Sequence, residues 1–434
     1  MNSDISTSRL KQFPPLMWIM LFGSFITRGS FYMVWPFLAV ILYKKFALSA
    51  TEVGSVLSLA AVISVFVSFV GSTLSDKLGR KPMMYATGVL YIVSFSLLAI
   101  ADTILMFTIV ITLCSIATSL WRPLASALIG DIIPEKATRE LAMQSLYFAV
   151  NVGCAVGPML GVWLGLTGEQ SSFFITVYAF AFLLVLLTWG FKHHDKIQSK
   201  VDIDNTQSAQ NPETPKSPKT KTGFKQTFSV LVQDKLLQCL ILANILCFFI
   251  YGQMDSSLVQ YLTRAGANNL LELISSMIFT NALVIITCQF LLLKLMASRP
   301  ILVRIRFGLV LLIISQIWFA FNPLTFFAGW LGAVVIMSLA EAILFPTMSV
   351  HVDRIAPTNL RGAYFGATAF YDLGYAFAPI GGGLLLDMYD GRTLFLVCSA
   401  IAVVVFLLYL IMDKLKRPAF ITEQLATEQT AKTA

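Results

Sequence analysis

Ser72-Thr73-Leu74-Ser75-Asp76-Lys77-Leu78-Gly79-Arg80-Lys81-Pro82 is a short basic hinge between two apolar runs, residues 53–70 and 83–100. Each run is long enough to cross a bilayer as a helix. So short a connection makes the two helices antiparallel neighbours. Lys77, Arg80 and Lys81 must stay in water or among headgroups. The excess of Lys and Arg on cytoplasmic loops then puts the hinge in the cytoplasm. With that one loop placed, every other segment acquires a direction.

The composition agrees with a chain made for lipid. Of 434 residues, 57% are hydrophobic and 12% charged, against roughly 45–50% and 25% in soluble domains. The 34 phenylalanines exceed what one soluble core needs. The net charge of +8 lies in loops, where it reports topology and does not call for nucleic acid. The first apolar run starts near Leu16 and is too long for the core of a cleaved signal. Cys114, Cys154, Cys239, Cys247, Cys288 and Cys398 all fall inside apolar runs. They suit helix packing, with no spacing for a metal site and no disulfide implied.

Twelve apolar stretches are predicted as helices. Helix 1 covers 16–42, closed by Lys44 and Lys45. Ser49-x-x-Glu52 is a capping box that starts helix 2. Helix 3 ends before Asp102, and helix 4 covers 104–130. A cytoplasmic stretch, 131–140, leads to helix 5 at 141–164. Helix 6 covers 173–191. Residues 192–225 are rich in Lys, Ser, Thr, Pro and Asn and predict a flexible linker; the His193-His194 pair within it lacks a third metal ligand. Helix 7 covers 237–262 and helix 8 covers 271–293. Lys294, Arg299, Arg304 and Arg306 form a second basic hinge. Helices 9 to 12 cover 307–321, 326–350, 363–386 and 394–411.

All but six of the 31 Lys and Arg residues then fall on the cytoplasmic side. Lys44, Lys45, Arg264 and Arg392 fall outside, and Arg28 and Arg122 lie within the membrane. Shifting the frame by one helix would destroy this asymmetry. The expectation is an all-α polytopic membrane protein of twelve transmembrane helices in two six-helix lobes. Its parts are a cytoplasmic tail (1–15), an N-terminal lobe (16–191), a cytoplasmic linker (192–225), a C-terminal lobe (226–413) and a second cytoplasmic tail (414–434). This is the layout of a two-lobed transporter.

The hinge pattern Leu-x-Asp-Lys-x-Gly-Arg-Lys, at Leu74, Asp76, Lys77, Gly79, Arg80 and Lys81, resembles a loop of the major facilitator superfamily. There the connection between helices 2 and 3 reads Gly-x-Leu-x-Asp-Arg-x-Gly-Arg-Arg. The leading Gly falls on Ser72, with Gly71 one place early. Helix 5 carries Gly153-x-x-x-Gly157-Pro158-x-x-Gly161, similar to the Gly-x-x-x-Gly-Pro-x-x-Gly-Gly signature of the superfamily's antiporters, with Val162 in place of the last Gly. Gly374, Pro379, Gly381, Gly382 and Gly383 echo it in helix 11, which suggests that both lobes bend where they meet. The chain most resembles the proton-coupled multidrug efflux branch, particularly its MdtH-like members. Many of those antiporters carry an Arg midway along helix 4, where this chain has Thr112, Leu113 and Cys114. The resemblance implies that helices 1, 4, 7 and 10 line a central cavity and that the hinge and the helix-5 motif serve gating.

Five charged residues fall inside apolar helices, at a cost of at least roughly 2.5–3.5 kcal/mol each if unpaired at mid-membrane. They are Arg28, Arg122, Asp255, Glu341 and Asp372. Arg does not usefully release a proton, whereas burial lifts a carboxylic acid toward neutrality. Glu341 is therefore the first candidate for proton coupling, followed by Asp255 and Asp372. Arg28 and Arg122 suit an acid partner or an anionic solute. Tyr32, Trp35, Gln144, Asn151 and Gln253 are further candidates for the cavity wall, with Phe31, Trp121 and Tyr147 as aromatic contacts.

The expected function is secondary active transport: proton-coupled efflux of amphipathic organic compounds or drugs by alternating access. The alternative is proton-coupled transport of one specific organic anion, such as a siderophore or metabolite. An enzyme is not expected, because the loops are short and His193, His194 and His351 lie outside any helix core. No metal or cofactor is called for, the proton gradient being the energy source. The partners expected are a small-molecule substrate and the lipid bilayer, with no nucleic acid and a functional monomer. The location expected is the plasma membrane, as the inner membrane of a bacterium, with both termini cytoplasmic.

Overall fold

The computed structural model describes residues 7–166, 169–208, 233–356, 364 and 367–415. Its long helices are α1 (Pro15–Val34), α2 (Ala50–Leu78), α3 (Arg80–Ile100), α4 (Ile104–Ile132), α5 (Lys136–Trp163), α6 (Phe173–Ser208), α7 (Lys235–Asp255), α8 (Leu270–Leu295), α9 (Ile301–Phe321), α10 (Phe327–Ile355), α11 (Asp372–Met388) and α12 (Gly391–Ile411). Among the described residues, eleven spans are long and apolar enough to cross a membrane. The α-helical part of α11 has 17 residues and follows a 3-10 turn, Thr368–Tyr371.

The helix starts are chemically specified. Pro15 opens α1 at a position where no backbone donor is needed. Thr103 accepts from the Met106 amide at 3.2 Å, Asp234 from the Leu236 amide at 3.1 Å and Asp390 from the Thr393 amide at 2.7 Å. The capping box at α2 closes in both directions: the Ser49 amide donates to Glu52 at 2.7 Å, and the Glu52 amide donates to the Ser49 hydroxyl at 3.1 Å. Between α2 and α3 the chain turns on Gly79, at φ +90, a conformation that a Cβ would strain.

Four expectations change. Helix 1 is interrupted by a 3-10 turn at Trp35–Phe37 around Pro36, then resumes at Leu38–Phe46, because Pro36 has no amide to continue the ladder. Helix 7 breaks at Ser256, φ −126 and ψ −76, and continues as Ser257–Arg264. Helix 6 runs past Phe191 to Ser208: once nucleated, a helix gains a hydrogen bond for each further residue. The rest of the expected linker, 209–225, lies outside the described residues. In the second basic hinge, Arg304 and Arg306 already belong to α9; Arg304 donates from Nε to the Arg299 carbonyl at 2.9 Å.

The chain divides into two compact units. In the first, α1 packs on α5 and α6, while α3 packs on α4 and α6. In the second, α7 packs on α11 and α12, while α9 packs on α10 and α12. The same pairing therefore recurs six helices later, as expected of an internal structural repeat. The first ten residues of the α2 region, Ser49–Ser58, pack with the second unit, and Leu271–Ala282 of α8 pack with the first. Large apolar side chains face outward, among them Leu105 (71% exposed) and Trp163 (80%), as suits a surface solvated by lipid.

Candidate functional site

The acids lie in the second unit. Glu341 is half-buried in the middle of α10. One turn earlier, the Met337 carbonyl accepts from the Tyr251 hydroxyl of α7 at 3.3 Å. One turn later, the Phe345 ring packs edge-on against Tyr251 at 4.9 Å. Residues 337, 341 and 345 share one helix face, so Glu341 sits level with Tyr251 and within electrostatic reach of Tyr251 and Cys247. Asp255 is the last residue of α7, directly before the break, and its side chain is exposed. Asp372 is the first residue of α11 and is also exposed. A half-buried acid on a continuous helix and an exposed acid at a helix break present two different environments for a proton.

The cations lie in the first unit. Arg28 enters a cavity of about 50 Å³ whose walls include Phe31, Tyr91, Trp121 and Phe180. Its guanidinium carbon is 5.7 Å from the Phe31 ring centroid. Tyr91 stacks on Phe180 at 3.6 Å and 13°, and Trp121 stands edge-on to Phe180 at 5.4 Å. Trp35 stacks on Phe31 at 4.9 Å, and Tyr32 meets the Phe31 edge at 5.5 Å. Arg122 follows Trp121 on α4, with its side chain outside the described residues. Gln144 and Tyr147 are exposed on α5, and Asn151 donates to the Tyr147 carbonyl at 2.8 Å.

Three placements differ from expectation. Gln253 does not stand in a cavity wall. It is 1% exposed, and its amide donates to the carbonyls of Phe249 and Ala378, each at 3.2 Å, tying α7 to α11. His351 is buried in α10, 7% exposed, because its ring packs near Tyr409 at 6.3 Å. The helix-5 glycines make their tight contact within one unit, against α1. A Cβ on Gly153 would lie 2.6 Å from the Phe25 carbonyl, and one on Gly157 would strike the Gly29 carbonyl. Pro158 lies inside the same helix, and Gly161 accepts from the Leu166 amide at 2.9 Å as α5 ends. The helix-11 glycines behave similarly: Gly374 meets the Ile245 carbonyl of α7.

At the hinge, Asp76 and Lys77 belong to the last turn of α2, with side chains outside the described residues. Arg80 pairs with Asp131 at 3.4 Å and Lys81 with Asp195 at 2.7 Å, which ties the start of α3 to the end of α4 and to the second half of α6. Sequence reasoning missed Tyr91, Phe180 and Asp387. The first two were indistinguishable among many aromatics. Asp387 accepts from the amides of Ala50 at 3.0 Å and Thr51 at 2.7 Å, across more than 300 residues of sequence. Ser24 and Thr27, which share the cavity face of α1 with Arg28 and Phe31, were missed as well, although their helical spacing from Arg28 and Phe31 is a signal that could have found them.

The family model described as Major Facilitator Superfamily matches residues 20–372. The chain belongs to that superfamily. It is 28% identical over 388 residues to an uncharacterised MFS-type transporter of Bacillus subtilis (strain 168), covering 89% of this chain and 90% of the relative. It is 24% identical to a Na(+), Li(+), K(+)/H(+) antiporter of Planococcus maritimus, covering 86% and 90%. It is 25% identical to Multidrug resistance protein 1 of Bacillus subtilis (strain 168), covering 79% and 82%. Among solved structures, a nucleoside transporter shares the fold at TM-score 0.72 and 14% identity, with 92% of this chain and 99% of that chain covered. The protein is an all-α, multi-pass membrane transporter, not an enzyme.

Proposed function

We propose that the protein exports amphipathic organic compounds in exchange for protons, by alternating access of two six-helix lobes with twelve spans in all. The observation that carries this reading is Glu341. It is a half-buried acid on a membrane helix, level with Tyr251 and one turn from the carbonyl that Tyr251 binds. A carboxyl group in that setting can bind a proton in one state of the transport cycle and release it in the other. Asp255, at the α7 break, is the second proton carrier and Asp372 the third. The relatives named for multidrug resistance and for cation/proton antiport support exchange driven by a gradient.

In this reading the chain acts as a monomer in a bacterial inner membrane, with both termini cytoplasmic and no cofactor beyond the proton gradient. Asp76, Lys77, Gly79, Arg80 and Lys81 gate the cytoplasmic side, and the crossing of Gly153 and Gly157 on α1 lets that helix pivot. The test is transport into proteoliposomes under an imposed pH gradient, with cationic, neutral and anionic dyes. Accumulation of at least one dye only when the gradient is present supports the reading. Uptake that ignores the gradient for every dye refutes proton coupling.

A further inference from the structure

The acids account for proton movement but leave Arg28 without a task. It is held in the first unit by a helix stripe that also carries Ser24 and Thr27, which are 5% and 3% exposed. Among the described residues that line its cavity none is acidic. Among the described residues no hydrogen bond or ion pair reaches the guanidinium, whose carbon lies 5.7 Å from the Phe31 ring centroid. A guanidinium keeps its charge at any physiological pH, and holding it in an aromatic-walled recess without an anion is costly. The cavity is small, room for a few heavy atoms. It is floored by the Tyr91–Phe180 stack and edged by Trp121.

We infer that this recess is the subsite for the carboxylate end of an aromatic organic acid, with Arg28 as the residue that selects it. Arg offers two parallel N–H donors, which match the two oxygens of a carboxylate better than they match a spherical ion. The Thr27 hydroxyl gives its hydrogen to the Gly23 carbonyl at 2.7 Å. Among the lining side chains the guanidinium, the Ser24 and Tyr91 hydroxyls and the Trp121 indole N–H remain as donors. The rings of Phe31 and Trp121 take the flat body of the acid by offset or edge contact. The inference rests on the reading of the chain as a transporter of amphipathic organic compounds and narrows their class.

The test uses the full chain in lipid nanodiscs and titrates 2-naphthoate and its uncharged isostere 2-naphthamide, with gluconate as the background anion. Wild type binds naphthoate more tightly than naphthamide. Arg28→Gln weakens naphthoate at least tenfold and leaves naphthamide unchanged, while Arg28→Lys, which keeps the charge and loses the fork, falls between. Ala125→Leu retains Arg28 and fills the cavity from α4, so it removes naphthoate binding even if Arg28→Gln does not fold. Equal weakening of acid and amide, or no preference for the acid in wild type, overturns the assignment. Displacement of naphthoate by chloride at comparable affinity makes the site one for an inorganic anion and also overturns it. Gradient-driven uptake of a cationic dye is read in parallel vesicles. If that uptake persists while naphthoate fails to bind, the transport reading stands and the subsite falls. Arg28-dependent naphthoate binding without any gradient-driven flux has the opposite meaning.

Discussion

Asp387→Ala should loosen the first turn of α2 and nothing else nearby. The first four amides of a helix lack internal partners, and here each can be accounted for. Ala50 and Thr51 donate to the two oxygens of Asp387, Glu52 donates to the Ser49 hydroxyl, and Val53 donates to the Ser49 carbonyl at 3.1 Å. Removing Asp387 strips two of the four. Caps of this kind contribute about 0.5–2 kcal/mol. Asp387 is exposed, so solvent screening puts the loss in the lower part of that range, about 0.5–1 kcal/mol. The Ala50 and Thr51 amides should then exchange with solvent deuterium about two to five times faster. The assay is hydrogen–deuterium exchange with mass spectrometry on peptides spanning residues 48–56. The start of α12, capped by Asp390, serves as the unaffected control. Partial burial pulls the Asp387 carboxyl upward, but hydrogen bonds from Thr51, Ala50 and Ser49 outweigh it and hold the group below its ordinary 3.8. A depressed carboxyl stabilises the folded state fully above 3.8, and the contribution fades only as pH falls through the lower folded value. The ratio of wild-type to variant exchange should thus stay constant from pH 7 to 5. Unchanged exchange at Ala50 and Thr51 in the variant would refute the capping argument.

Glu341→Gln, which mimics the protonated acid, should abolish gradient-driven transport while substrate binding persists; full uphill transport with normal proton flux would pass the coupling role to Asp255 or Asp372. Gly157→Leu should drive α5 from the Gly29 carbonyl, costing about 1–3 kcal/mol or more, and thermal unfolding in detergent checks it; a wild-type melting curve would contradict the crossing. Gly79→Ala places a side chain at φ +90 and should lower stability by about 1–2 kcal/mol. Glycine at that site should outperform every replacement in melting temperature.

The apolar runs, the basic hinge and the Lys and Arg asymmetry were sufficient to establish a helical membrane protein, because lipid forces every backbone polar group into a helical ladder. Most helix positions followed within a few residues, with the end of helix 6 and the start of helix 11 as exceptions, and the Ser49–Glu52 cap was read correctly because its chemistry is local. The charged residues of the spans were equally legible, since one ionisable group in an apolar run stands out without any structure. What escaped the sequence depends on which helix faces which. The break at Ser256 is marked by no proline; Gly252 lies one turn before it, and the Ser256 hydroxyl donates to the Gly252 carbonyl at 2.7 Å, a link that the sequence reading did not draw. The Gly157 contact turns to α1 because that is the backbone close enough to need it, and Gln253 is consumed by carbonyls of two helices. Tyr91, Phe180 and Asp387 gain their roles only from partners distant in the chain. Periodicity reports a residue's own helix, whereas tertiary packing alone chooses the neighbour.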